Sequence, residues 1–83
     1  MATDWAKYGI QCNALAQGYF DTPLNAALVS DKELTSWLEK RTPAGRWGKV
    51  EELVGASIFL SSKASDFVNG HILYVDGGIT ASL

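Results

Sequence analysis

Two spacings of apolar residues divide this chain. The first half of the stretch from Gln11 to Leu24, a short and nearly uncharged run with Cys12, Leu15 and the neighbouring alanines, reads as a buried strand. Gln17-Gly18 breaks it, since glycine takes the positive φ that a strand end can require. Asp21-Thr22-Pro23 then supplies cap residues and a proline suited to a first helical turn. Between Pro23 and Lys40 the apolar positions Leu24, Leu28, Leu34, Trp37 and Leu38 fall at helical spacing, interrupted at Val29-Ser30-Asp31. Two helices with a break near Ser30 are predicted, with Ser30 or Asp31 capping the second and Glu33 in its first turn.

Thr42 to Lys49 is a connector with one proline and two glycines. Val50–Ser62 is the strongest helix: Glu51 and Glu52 lie in its first turn, and Leu53, Val54, Ala56, Ile58, Phe59 and Leu60 occupy more than one face. A helix apolar on most sides is expected to be buried. Lys63–Val68 predicts one more helical turn, Asn69-Gly70 a tight turn, and His71–Asp76 a second strand ended by Gly77-Gly78, before a short apolar tail from Ile79 to Leu83. At the other end, Met1–Lys7 reads as the last turns of a helix stopped by Gly9, and as the end of something longer.

Strand, helices, helix, strand is the order of a parallel α/β unit with a crossover connection. Two parallel strands are not a self-sufficient sheet, because parallel sheets are covered on both faces. The expectation is one partial α/β domain over residues 1–83. Nearly half of the 83 residues are apolar, with three Trp, three Tyr and three Phe. So small a chain has little interior to hide them in. The apolar helix therefore points to a partner, another copy or further sequence. A net charge of −2 argues against nucleic acid and acidic membranes, which call for a basic excess. The single cysteine excludes an internal disulfide and suits a reducing compartment. No run of membrane-spanning length and no basic-then-apolar leader is present, so a soluble, cytoplasmic protein is the expectation.

A catalytic set is not visible. No tyrosine has a lysine four residues on, and no Gly-x-Gly-x-x-Gly phosphate loop occurs. His71 has no Cys or His at ligand spacing, which argues against a metal. Cys12 on a buried strand reads as inert, Asp76 as a turn former, and Glu51 and Glu52 as helix-start charges. Arg46 reads as a solvated turn residue or a subunit contact rather than an anion ligand. The helices after Pro23 either simply cover the loop or form a lid over a ligand.

Four blocks in order carry a resemblance: Trp-Ala-Lys-Tyr-Gly-Ile-Gln-x-Asn at 5–13, Gly-Tyr-Phe-Asp-Thr at 18–22, Arg-Trp-Gly-Lys-Val-Glu-Glu-Leu-Val at 46–54 and Asn-Gly-His-Ile-Leu-Tyr-Val-Asp-Gly-Gly at 69–78. Together they resemble the C-terminal part of the short-chain dehydrogenase/reductases. Within that family they look most like the gluconate 5-dehydrogenase group, through Thr-Pro-Ala-Gly-Arg-Trp-Gly-Lys-Val-Glu-Glu-Leu and the final Val-Asp-Gly-Gly-Ile-Thr-Ala-Ser-Leu. The resemblance implies an incomplete, C-terminal portion of a Rossmann-type fold, with NAD or NADP as cofactor. It implies that the family's nucleotide loop and its Ser and Tyr-x-x-x-Lys residues precede Met1, which matches an internal methionine of such chains. Gly18, Phe20 and Thr22 match the loop that closes over the nicotinamide, through the backbone at Phe20 and the Thr22 hydroxyl. Tyr19 and the segment beginning at Leu24 match the substrate-side lid. Gln17 stands where the family usually has proline, which loosens that loop. Val50–Ser62 and His71–Asp76 match a subunit interface, so the implied partners are further copies or the preceding part of the fold. Two functions follow: a segment of an oxidoreductase inactive by itself, or a non-catalytic oligomerisation or interaction module.

Overall fold

The computed structural model describes residues 1–82. It opens with a short helix, α1 (Ala2–Trp5), whose last turn tightens over Ala6–Tyr8 and stops at Gly9 with φ +75°. The strand β1 (Ala14–Gln17) follows, then β2 (Phe20–Asp21), a 3-10 turn over Pro23–Asn25, α2 (Ala26–Val29) and α3 (Lys32–Arg41). The second half holds β3 (Gly48–Lys49), α4 (Glu51–Ser61), a 3-10 turn over Lys63–Ser65 and β4 (Ile72–Val75). A last 3-10 turn spans Thr80–Ser82, where a plain apolar tail was expected.

β1 and β4 pair in parallel, Ala14 opposite Ile72 through Gln17 opposite Val75, across a crossover that contains β2, β3 and the helices α2 to α4. The pairing is the one the strand–helix–strand pattern predicts. A second parallel pair was not legible: Phe20 and Asp21 lie opposite Gly48 and Lys49. Two-residue strands leave no periodicity to read, so the connector and the loop each hid one.

Helix punctuation follows the sequence closely. Pro23 begins the first turn, Ser30 breaks the pair, and Asp31 caps α3 by accepting the amides of Glu33 and Leu34 at 3.0 and 3.2 Å. Lys40 and Arg41 close that helix, where positive charge is favoured. At the far end of β1, two asparagines join the strand ends. Asn13 accepts the His71 amide at 3.0 Å and donates to the Val68 carbonyl at 2.9 Å. Asn69 accepts the Cys12 amide and donates to the Ala2 carbonyl, both at 3.0 Å.

Burial departs from expectation. The interior comprises Leu38 at 1% exposure and Phe20 at 5%, with Thr42 and Ser65 the buried polar residues. The run around Cys12 and Leu15 does not form a buried strand: regular pairing starts at Ala14, and Ala14, Leu15 and Gln17 are exposed, with Cys12 and Ala16 half-buried. Nor is α4 buried, with Ile58 62% exposed and Val54 and Phe59 open as well. The composition was read correctly, but this length of chain supplies nothing to cover either surface. Dimensions of 50 × 27 × 19 Å record the same shortage.

Candidate functional site

The segment Gly18–Thr22 crosses from one sheet to the other and is fixed at both ends. The Gly18 amide donates to the Val75 carbonyl at 2.9 Å, extending the β1–β4 ladder by one bond. Gly18 does not adopt positive φ, which corrects the reason given for it. A Cβ there would lie 2.7 Å from the Asp76 Cα, so glycine is needed for close approach of the two chains. At the other end, the Gly48 amide donates to the Tyr19 carbonyl at 2.9 Å. A Cβ on Gly48 would sit 2.7 Å from the Phe20 ring, so the buried phenyl lies directly on that glycine.

Phe20 therefore contributes packing through its ring. Its carbonyl accepts Asn25 Nδ2 at 2.9 Å, a bond that folds the turn after Pro23 back on the loop. Thr22 has extended backbone, φ −124° and ψ 161°, at the N-cap position of that turn, yet its hydroxyl makes no cap bond. Half-buried, that hydroxyl is available to a ligand as donor and acceptor. A nicotinamide carboxamide needs such a donor and acceptor, so the residues present fit that group.

Tyr19 faces α3 and the connector together. Its ring stands edge-on to Trp37 at 6.0 Å and to Trp47 at 6.2 Å between centroids. Trp47 Nε1 donates to Thr35 Oγ1 at 3.3 Å, and that hydroxyl donates to the Val29 carbonyl at 2.9 Å. The loop, α2, α3 and the connector are thereby joined around one aromatic cluster. Leu24, the other lid residue implied by the resemblance, is 93% exposed and apart from it. Trp47 and Asn25 were not singled out from sequence, because their partners lie on other elements.

Behind the loop is a cavity of about 70 Å³, lined among others by Phe20, Thr42, Gly48, Val75, Asp76 and Gly77. At its edge Arg46 grips Glu52 with two parallel bonds, 2.7 and 2.8 Å, while the Lys49 amide donates to the same carboxylate at 2.9 Å. The Arg46 bonds, then the Lys49 amide, pull the Glu52 pKa down to about 2. Arg46 is correspondingly raised above its ordinary value by Glu52. Arg46 is thus a partnered turn residue. Glu52 is more than a helix-start charge, as it closes the turn before α4.

Asp76 is a turn former, as expected. Its carboxylate accepts the Gly78 amide at 2.9 Å and the Thr80 amide at 3.1 Å. The Thr80 side chain, with these two amides, holds its pKa below the ordinary aspartate value. Gly77 and Gly78 both adopt positive φ, +66° and +98°, letting the chain turn tightly over Thr42 and Pro43. Among the described residues no group of three or more His, Cys, Asp or Glu could hold a metal, and no helix is long and apolar enough to cross a membrane.

A loop held between parallel strand ends, with helices above it, is where α/β folds place ligands. The family model described as Enoyl-(Acyl carrier protein) reductase matches residues 1–80. The chain belongs to the short-chain dehydrogenase/reductases. It is 68% identical over 83 residues to the gluconate 5-dehydrogenase of Gluconobacter oxydans (strain 621H), covering 100% of this chain and 32% of that protein. The 5-keto-D-gluconate 5-reductase of Escherichia coli (strain K12) is 57% identical over the same length, of which the chain covers 33%. Among solved structures, that of a gluconate 5-dehydrogenase from Burkholderia cenocepacia J2315 in complex with NADP and tartrate superposes with a TM-score of 0.94 at 65% identity. It is matched by 100% of this chain and over 32% of its own. The chain thus spans about a third of the length of these relatives and is the C-terminal part of a short-chain dehydrogenase/reductase with a Rossmann-type α/β fold.

Proposed function

We propose that this chain is the cofactor-closing and substrate-covering part of an NAD(P)-dependent oxidoreductase acting on a sugar acid of the gluconate type. The likeness to a gluconate 5-dehydrogenase solved with NADP and tartrate supports the chemical class. The observation that carries the role of this segment is the uncommitted Thr22 hydroxyl at the end of a loop pinned by Gly18 and Gly48. Thr22 holds the nicotinamide carboxamide, the Phe20 backbone lies beside it, and Gly18 sets the height of the loop above the strand ends. Tyr19 and the helices beginning near Leu24 cover the substrate. The nicotinamide cofactor, when bound, gives or takes the hydride. The chain's own residues orient it and exclude water, and a proton-transferring Tyr–Lys pair lies outside residues 1–83. One partial domain in a cytoplasmic, oligomeric enzyme is the setting this reading requires.

The test is a titration of the chain with NADPH and NADH followed by tryptophan quenching. Saturable binding by the chain should be weakened about tenfold by Thr22→Val, which keeps the shape and removes one hydrogen bond. Binding indifferent to that substitution would remove the role assigned to Thr22. Turnover of a sugar acid by the chain itself would contradict the placement of proton transfer elsewhere.

A second reading is favoured by the apolar surface of α4 and β4, where Val54, Ile58, Phe59, Ile72 and Tyr74 stand exposed. In it the segment is an oligomerisation or interaction module without catalysis. A stable monomer at micromolar concentration would exclude that.

A further inference from the structure

We propose that Asn69-Gly70 is a latent deamidation site kept unreactive by the backbone of Cys12. Asparagine followed by glycine is the pair in which the next amide nitrogen reaches the side-chain carbonyl carbon most easily, because no Cβ obstructs it. Both residues are exposed, so water has access. In the reaction the Gly70 nitrogen attacks Asn69 Cγ, a C–N bond forms, and the Cγ–Nδ2 bond breaks. Ammonia leaves, carrying the former Gly70 amide proton. Water then opens the five-membered imide at either carbonyl, giving aspartate or isoaspartate, with no redox change.

The fold restrains both partners of that reaction. The Gly70 amide donates to the Cys12 carbonyl at 3.0 Å, so the nucleophile is occupied. Asn69 Oδ1 accepts the Cys12 amide and Nδ2 donates to the Ala2 carbonyl, each at 3.0 Å, so the electrophile cannot rotate toward it. Asn13, bridging Val68 and His71, holds the same stretch from the other side. Attack needs all of this to open, which makes the site responsive to the integrity of the β1–β4 junction.

Conversion is also one-way. A carboxylate at position 69 has no proton to give the Ala2 carbonyl and sets two acceptors against each other. Isoaspartate further lengthens the main chain by one carbon, shifting the Gly70 amide away from Cys12. A chain that has opened long enough to react cannot rebuild the clamp in full, because the Asn69 Nδ2 bond to Ala2 is lost in either product. The inference is independent of the function proposed above.

The full 83-residue chain, incubated in buffer and in urea at one mildly alkaline pH, tests it by peptide mass mapping of residues 8–32 and 64–83. Conversion is expected at Asn69 and not at Asn25, which precedes alanine. It should be about tenfold or more slower in buffer, since opening must first break several hydrogen bonds. Asn13→Ala should raise the rate in buffer toward that in urea, and Gly70→Ala should slow it in urea. Equal rates in buffer and urea would overturn the proposal. An unreactive Asn69 in urea, an unchanged rate in Asn13→Ala, or full reactivity in Gly70→Ala would do the same.

Discussion

The two bonds from Arg46 to Glu52, with the Lys49 amide on the same carboxylate, make one residue responsible for the geometry of a whole turn. Because these partners lower the folded-state pKa of Glu52 to about 2, the unfolded chain binds its proton first as pH falls. The contribution of the pair is fully present above the ordinary carboxylate value of 4.5 and is lost between there and about 2. Unfolding midpoints measured across that window should fall for the parent chain, with a smaller slope in Glu52→Gln. Parallel curves would refute the linkage. The pair is exposed and open to screening, so added salt should shrink the difference. Gly18 and Gly48 act at the same scale by absence, since each leaves room for a neighbour that a methyl group would displace.

Among the elements, α3 depends most visibly on a single cap. Asp31→Ala removes the acceptor of two amides and should cost about 1 kcal/mol in urea unfolding, with Asp31→Asn retaining most of the stability. An unchanged midpoint in Asp31→Ala would show that α3 is held by packing at Leu38 alone. This cap, the break at Ser30 and the turn at Asp76 were legible because their causes lie within a few residues. The β2–β3 pair and the Trp47–Thr35 bond were not, because the partners are brought together only by the fold. Gly18 was placed correctly for the wrong reason: a sequence shows that a side chain is absent, not what occupies its place. The residues singled out by the resemblance divide likewise, with Gly18, Phe20 and Thr22 in one loop and Tyr19 in the aromatic cluster, while Leu24 is exposed to solvent.

For the molecule as a whole, the radius of gyration of 15.6 Å exceeds the roughly 12 Å expected of a compact chain of this length. Phe67, at 104% exposure, marks how little of the apolar surface folds inward. Light scattering at micromolar concentration should therefore report a mass above the 9.0 kDa of one chain, falling as the solution is diluted or as Ile58→Glu charges α4. A concentration-independent 9.0 kDa species would contradict that. The β1–β4 ladder has a further consequence, in time rather than space. Its junction joins residues 58 apart, as the Asn13–His71 bond shows. Contacts so distant along the chain form late, after local helices. At a synthesis rate of about 5–20 residues per second, β1 waits roughly 3–12 s for its partner strand to be made. Through that interval its hydrogen-bonding edges are open to any other strand within reach.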